Sequence, residues 1–329
     1  MNVRKKILVI RLGAIGDVVL STIIASAIKI SHPDYVVHYL TSSQIKPLIE
    51  NHPHIDKIFE WDRAKRKSKK QFLDVSLAIM KEHYDIVYNL TYAIRNFLFA
   101  FMTFCPRIIN RVNSNNSWVE DYFLTAKKGI KDIYQPDRLY NGVDNDSLNR
   151  VKSDLKGLPK PYIVLSPGGA TNNNRQGRAW DIKNWKILSR LLLEQYGGTI
   201  FLSGSKSEQE SHEYIKDGND NIKVFSGIYN LKESNALYSM CHLMISGDTG
   251  PVHIASAHNI KTLSLLGSTS PDKIKPYGEN GYYLASDFEC KYCWQKKCKL
   301  LKEGEKYTPC MNAISTEMVM KKIKMDKLL

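Results

Sequence analysis

The amino-acid sequence predicts an α/β protein of two successive units, each a mostly parallel sheet flanked by helices. Three observations carry this. The chain has 329 residues, which at roughly 100 to 200 residues per domain is the length of two domains with sizeable cores. Short apolar runs alternate with helix-length stretches, and strands joined by helices of that length form right-handed crossovers in a parallel sheet. The alternation stops between residues 113 and 161, where Asn, Asp, Lys, Gly and Pro crowd the sequence, and then resumes. That break is the domain junction, giving units of 1–155 and 156–329.

The first series opens with the apolar run Ile7 to Ile10, a glycine-containing turn from Gly13 to Asp17, and an apolar helical stretch from Val18 to Ile30. It continues with a strand at Tyr35 to Leu40, a helix around Gln44 to Asn51 and a strand at Lys57 to Trp61. A helix from Gln71 to His83, a strand at Tyr84 to Leu90 and a helix from Ala93 to Phe104 complete it. The second series runs from the strand after Pro161 through a helix at Asn184 to Tyr196, a strand at Thr199, a helix at Glu208 to Asp217 and a strand at Ile222. It ends with a helix near Leu231 to Met240 and strands after His242 and Lys261. Two such units make a protein with a cleft between domains. In these sheets ligands bind beyond the carboxyl ends of strands, so the loops there are where chemistry is expected.

With 43% hydrophobic and 24% charged residues, the composition excludes a disordered chain. No apolar run approaches the roughly 18 to 20 residues that span a bilayer. The opening MNVRKKILVIRLGAIGDVVL is interrupted by Arg11 and Asp17, unlike a signal peptide, and a cytoplasmic protein is expected. Lys and Arg number 47 against 33 Asp and Glu, a net charge of +14. An anionic partner follows, whether nucleic acid, an acidic membrane surface or a phosphorylated substrate. Six of the eight residues from Arg63 to Lys70 are basic, a binding patch or a solvated loop.

Three strand-end loops carry candidate chemistry. In RLGAIGD, Arg11 to Asp17, the spacing is Gly-x-x-Gly rather than the Gly-x-Gly-x-x-Gly of dinucleotide folds, which weakens a dehydrogenase reading. Asp17 is either a helix-start carboxylate favoured by the macrodipole or a general base at a strand end. LSPGGATNNNRQGRAWDIKNW, Leu165 to Trp185, offers the amides of Asn172, Asn173 and Asn174 and two arginines, Arg175 and Arg178, whose guanidinium geometry suits a diphosphate. The alternative is a plain surface loop. In ISGDTGPVHIASA, Ile245 to Ala257, a strand runs into Gly-Asp-Thr-Gly-Pro and a helix. Free amides around Thr249 and Gly250 would face an anion, and Asp248 or Thr249 as an N-cap is compatible with that role. His253, alone, reads as a packed histidine as readily as a functional one.

Taken together, IRLGAIGDVVLST, SPGGATNNNRQGRAWDIKNW, SGSKSE at Ser203, GDTGPVHIASA and a closing C-x-x-C-x4-C-x11-C resemble glycosyltransferase family 9, the ADP-heptose:lipopolysaccharide heptosyltransferases. The motifs occur in order from about residue 7 to residue 325. The resemblance implies a GT-B fold of two facing Rossmann-like domains, acceptor on the first and nucleotide-sugar on the second. It also implies inverting transfer of heptose from ADP-heptose to the inner core of lipopolysaccharide without a catalytic cofactor. In the family pattern Asp17 is the base that deprotonates the acceptor hydroxyl. Arg178 stands where a known member has lysine and contacts donor phosphate and sugar, and Asn173 and Asn174 stand at threonine positions that hold phosphate oxygens. Glu208 matches a ribose-binding residue, and Asp248, Thr249, Gly250 and His253 match the donor-binding Asp-Thr-Gly-x-x-His pattern.

The acceptor in this family carries carboxylates and phosphates on a lipid A anchor. That accounts for the basic residues of the first domain, with Arg11, Arg63, Lys65, Arg66 and Arg95 as the acceptor-binding set, and implies peripheral contact with the inner face of the inner membrane. Cys105 and Cys241 lie in apolar segments and read as core residues. Cys290, Cys293, Cys298 and Cys310 open with a zinc-like C-x-x-C, so a structural zinc and free thiols both stay open. No nucleic-acid module with interleaved basic and aromatic residues is present, so nucleic acid is not expected as a partner. A related GT-B enzyme using another nucleotide-sugar or a non-lipopolysaccharide acceptor remains the rival, because a fold does not fix the sugar.

Overall fold

The computed structural model describes residues 4–168, 178–290, 292–295 and 297–329. The chain divides into two compact units, Met1–Gly142 and Val143–Leu329. In the first, the elements are β1 (Lys6–Ile10), α1 (Ile15–Ser21), α2 (Ile23–Ser31), β2 (Val36–Ser42), α3 (Lys46–Ile49), β3 (Lys57–Trp61), α4 (Lys69–Met80), β4 (Ile86–Asn89), α5 (Ile94–Met102), β5 (Ile108–Asn110) and α6 (Trp118–Gly129). The five strands form one parallel sheet in the order β3-β2-β1-β4-β5. Ile7 to Ile10 of the central strand are fully buried, as a near-continuous apolar run must be when helices cover both sheet faces. Trp61 meets Phe72 and Phe99 edge-on, with the Trp61 and Phe99 ring centres 5.2 Å apart, while Phe72 and Phe99 are tilted against each other.

The helix expected over Val18 to Ile30 is two, α1 and α2. The hydroxyls of Ser21 and Thr22 donate back to the carbonyls of Val18 and Val19, each at 2.8 Å, and such back-bonding bends a helix.

The second unit comprises α7 (Asn145–Asp154), β6 (Tyr162–Ser166), α8 (Ile182–Tyr196), β7 (Thr199–Leu202), α9 (Gln209–Lys216), β8 (Ile222–Val224), α10 (Leu231–Met240), β9 (Leu243–Gly247), α11 (Gly250–Ala257), β10 (Lys261–Leu266), α12 (Pro271–Ile274), β11 (Gly281–Ala285), α13 (Pro309–Asn312) and α14 (Thr316–Met325). Its six parallel strands follow the order β11-β10-β9-β6-β7-β8. Read from β6, this is the doubly wound Rossmann order, with the direction of winding reversing between β6 and β9. In the first unit the same reversal lies between β1 and β4. Trp180 and Trp185 fill the core under α8, and the Trp180 indole donates to the carbonyl of Ile314 at 2.8 Å, tying the segment before α8 to the C-terminal helices.

The division falls at 142/143, ahead of the 155/156 expected from composition. The reason is α7. Its Asp144 N-cap accepts from the amide of Ser147 (2.9 Å), Arg150 pairs with Glu233 of α10, and the Tyr229 hydroxyl donates to Asp154 at 2.7 Å. These contacts place the helix with the second unit.

Candidate active site

In the first unit the loop after β1 and the chain after β4 meet at the switch point. Arg11 is 8% exposed and donates through Nη1 to the carbonyl of Leu90 at 2.9 Å. Its Nη2 pairs with Asp17 Oδ2. Burial on its own would favour loss of the guanidinium proton, but the facing Tyr122 and Asp17 outweigh it and raise the Arg11 pKa above its ordinary value. Asp17 lies in the first turn of α1, where a carboxylate is favoured by the helix dipole. Among the described residues no hydrogen-bond partner engages its other oxygen. The Tyr122 hydroxyl is buried against this pair and has no hydrogen-bond partner among the described residues.

The basic residues of this unit separate into two sets. The Arg63 guanidinium lies over the β1 loop, close enough that a Cβ on Gly13 would sit 2.9 Å from Nη1. Lys65 lines a surface pocket of about 480 Å³ together with Glu60, Asp62 and Asp74. Arg95 donates to the carbonyl of Arg66 (3.1 Å) and stacks 5.2 Å over Trp61. Thus Arg11 and Arg63 gather at the Asp17 loop, whereas Lys65, Arg66 and Arg95 line other surfaces.

In the second unit the loops after β6 and β9 flank the switch point. Arg178 Nη2 pairs with Asp248 Oδ2 at 2.8 Å, the two side chains 20% and 8% exposed. Gly247 makes this approach sterically feasible, since a Cβ there would lie 2.7 Å from the Arg178 carbonyl oxygen. Thr249 is the extended N-cap residue of α11, and Gly250 and Pro251 open the helix. Ser246 donates to the carbonyl of Ser166 (3.1 Å), so the 2.7 Å bond between Ser246 and Thr249 takes the Thr249 proton. The donors at this helix start are therefore backbone amides rather than the threonine hydroxyl. Amides at a helix N-terminus, beside an arginine, form an anion site by geometry and dipole. His253 is buried in the same helix.

Glu208 adopts a role the sequence pattern did not reveal. Its Oε2 accepts from the amide and hydroxyl of Ser205 at 2.7 and 2.6 Å, closing a capping box. Its Oε1 lies where a Cβ on Gly168 would come within 2.1 Å, so the carboxylate packs on the β6 loop. Asn173 and Asn174 lie outside the described residues. The Arg178 guanidinium lies over the ring of Trp294, a residue sequence reasoning passed over, 5.9 Å from the ring centre, and the Trp294 backbone amide donates to the carbonyl of Ser268 at 2.9 Å. Its position one residue after Cys293, in a segment read only for its thiols, hid it.

The four clustered cysteines lie close enough to act on one another electrostatically but differ in exposure. Cys293 is exposed, Cys290 and Cys298 are half-buried, and Cys310 is in the core beside the Thr308 hydroxyl at 3.2 Å. Burial pushes the Cys310 thiol above its ordinary pKa. Among the described residues no three His, Cys, Asp or Glu side chains form a metal-ligand group.

The model of glycosyltransferase family 9 (heptosyltransferase) matches residues 99–303, more than half of the chain. The chain belongs to glycosyltransferase family 9. It is similar to lipopolysaccharide heptosyltransferase 1 of Campylobacter coli, 25% identical over 296 residues that cover 80% of this chain and 84% of that one. The structure resembles the family 9 glycosyltransferase of Veillonella parvula (TM-score 0.85, 20% identity, covering 100% and 98% of the two chains). It also resembles the Escherichia coli ADP-heptose lps heptosyltransferase II (TM-score 0.77, 18% identity, 98% of each). These likenesses identify the fold of this family 9 glycosyltransferase as the GT-B type.

Proposed function

We propose that this enzyme transfers a heptose from ADP-heptose to the inner core of lipopolysaccharide, with Asp17 as the general base. The observation that carries the reading is the Arg178–Asp248 pair at the start of α11 (2.8 Å), at the switch point of the second sheet. Names of relatives such as the Campylobacter coli and Escherichia coli enzymes support the sugar and the acceptor.

In this reading the α11 amides and Arg178 meet the charge of the ADP diphosphate. Asp248 pairs with the guanidinium and holds it in place for the donor. Asp17, oriented by Arg11, takes the proton of the acceptor hydroxyl as the oxygen attacks the anomeric carbon from the face opposite ADP. The C–O bond to the diphosphate breaks with its electron pair, and the configuration at the anomeric carbon inverts. Preorganised charge at the leaving oxygen is the largest contribution expected of the site, and it is met by protein groups rather than a divalent ion. Glu208, Thr249, Gly250 and His253 belong to the donor side, together with Asn173 and Asn174. Arg11 and Arg63 belong to the acceptor side.

A ligand that binds only the folded state raises its melting temperature. The test is a thermal-shift panel of ADP, ADP-heptose, UDP, GDP, CDP and NAD. A shift with ADP and a larger one with ADP-heptose is expected. A shift with UDP or GDP alone would keep the fold and overturn the sugar.

A further inference from the structure

Among the described residues, the first unit presents an exposed apolar face. Helix α5 turns Phe99 and Ala100 into the core, yet its outer stripe is also apolar: Ile94, Phe97, Leu98 and Phe101 recur at the spacing of one helix face. Ile94 is 79% exposed and Phe101 67%, and Phe104, just past the helix, is 68% exposed. Leu73 of the neighbouring α4 adds to the face at 52% exposure. Scattered exposed apolar residues are ordinary, but a contiguous run of this kind marks a contact surface.

The occupant is set by charge. A cavity of about 400 Å³ joins this face to the basic segment, with Trp61, Phe72, Leu73 and Leu98 as apolar wall and Arg66, Lys67, Lys69 and Arg95 as rim. No acidic residue occurs from Arg63 to Leu73 or from Thr91 to Arg107. Aromatic and aliphatic side chains edged by lysine and arginine match a bilayer interface, whose acyl boundary takes the rings while anionic headgroups take the cations. Among the described residues no helix is long and apolar enough to cross a membrane, so the contact is with a surface.

We infer that α5, with the cavity shared by α4 and the Arg63–Lys70 segment, docks the first unit on an anionic phospholipid bilayer. The inference stands on surface chemistry and does not require the heptose reading. Its test uses the full chain and vesicles that contain no lipopolysaccharide, so the two can fail separately. Co-sedimentation is measured with vesicles of phosphatidylethanolamine plus phosphatidylglycerol and with vesicles of phosphatidylcholine alone.

The wild type is expected to sediment with the anionic vesicles and to be released by salt. The double variant Phe101→Ser, Phe104→Ser and the triple variant Arg66→Glu, Lys67→Glu, Lys69→Glu are each expected to lower partitioning by roughly tenfold or more. All these positions are exposed, and an unchanged melting temperature confirms folding in each variant. Wild type remaining in the supernatant, or equal binding to phosphatidylcholine, would overturn the inference. So would a variant that changes the sedimentation-derived mass but not vesicle binding, because the face would then be a contact between two copies.

Discussion

Arg11 and Asp17 are six positions apart in sequence, and one turn of loop brings them into an ion pair at the start of α1. Both residues were legible as candidates, but their pairing was not, because a loop's path cannot be read from the residue types along it. The same holds for Arg178 and Asp248, which lie 70 positions apart and meet only because β6 and β9 are adjacent in the sheet. Gly247 at that meeting point gives a sharp test. A methyl there would press on the carbonyl oxygen of Arg178 at 2.7 Å, a backbone atom that cannot swing aside. Gly247→Ala should cost about 1 to 3 kcal/mol of stability, as overpacked sites do, read from urea unfolding. It should also weaken ADP binding in calorimetry. Arg178→Ala should lower ADP affinity by roughly tenfold or more, the worth of a charge-assisted hydrogen bond, in protein shown to be folded by circular dichroism. Affinity unchanged in that variant would remove Arg178 from the donor site.

Elements with a strong period were legible, and those with a polar surface were not. The buried strands β1, β4, β6 and β9 announced themselves as apolar runs, because a parallel sheet covered on both faces demands them. Helix α7 hid in the segment read as a junction because Asn, Asp and Lys crowd it, and α6 hid with it because polar stretches on both sides masked its apolar face. Their caps were the available signal: Ser117 accepts from the amide of Glu120 at 3.2 Å, and Asp144 from that of Ser147 at 2.9 Å. The cap of α10 tests how α7 is held. Asn230 accepts from the amides of Lys232 and Glu233 (2.9 and 3.0 Å), while Glu233 reaches back to the Asn230 amide and also pairs with Arg150. Asn230→Ala should destabilise the protein by about 1 kcal/mol, measured by chemical denaturation. Adding Arg150→Ala should give a non-additive loss, because both changes touch Glu233, one at its backbone amide and the other at its carboxylate.

For the whole molecule, acid sensitivity follows from buried histidine. His212, buried beside the Ser226 hydroxyl, has its pKa lowered by burial from 6.5 to about 4. The unfolded chain therefore binds the proton more readily between those values, and the stability it contributes is full above pH 6.5 and is lost as pH falls toward 4. The loss at the acid end is of order 3 kcal/mol for this one group. Melting temperature should fall between pH 7 and pH 5, and more shallowly in His212→Gln. Two α/β units were foreseeable from the strand-helix rhythm, and the resemblance of the loop motifs implied the GT-B class to which this family 9 enzyme belongs. The exposed face of α5 was not, because an apolar helix in a sequence reads as core until the structure shows which of its sides is exposed.

The central claim is that Asp17 is the base in heptosyl transfer, and one comparison tests it most directly. Transfer from ADP-heptose to heptose-deficient lipopolysaccharide is followed by mass spectrometry for the wild type and Asp17→Asn, with ADP-heptose affinity measured on both. The account requires that the variant lose transfer by a factor on the order of 10² to 10⁴, the usual worth of a positioned base, with donor affinity preserved. A variant that still turns over at the wild-type rate, or that loses donor binding while retaining turnover, would contradict it.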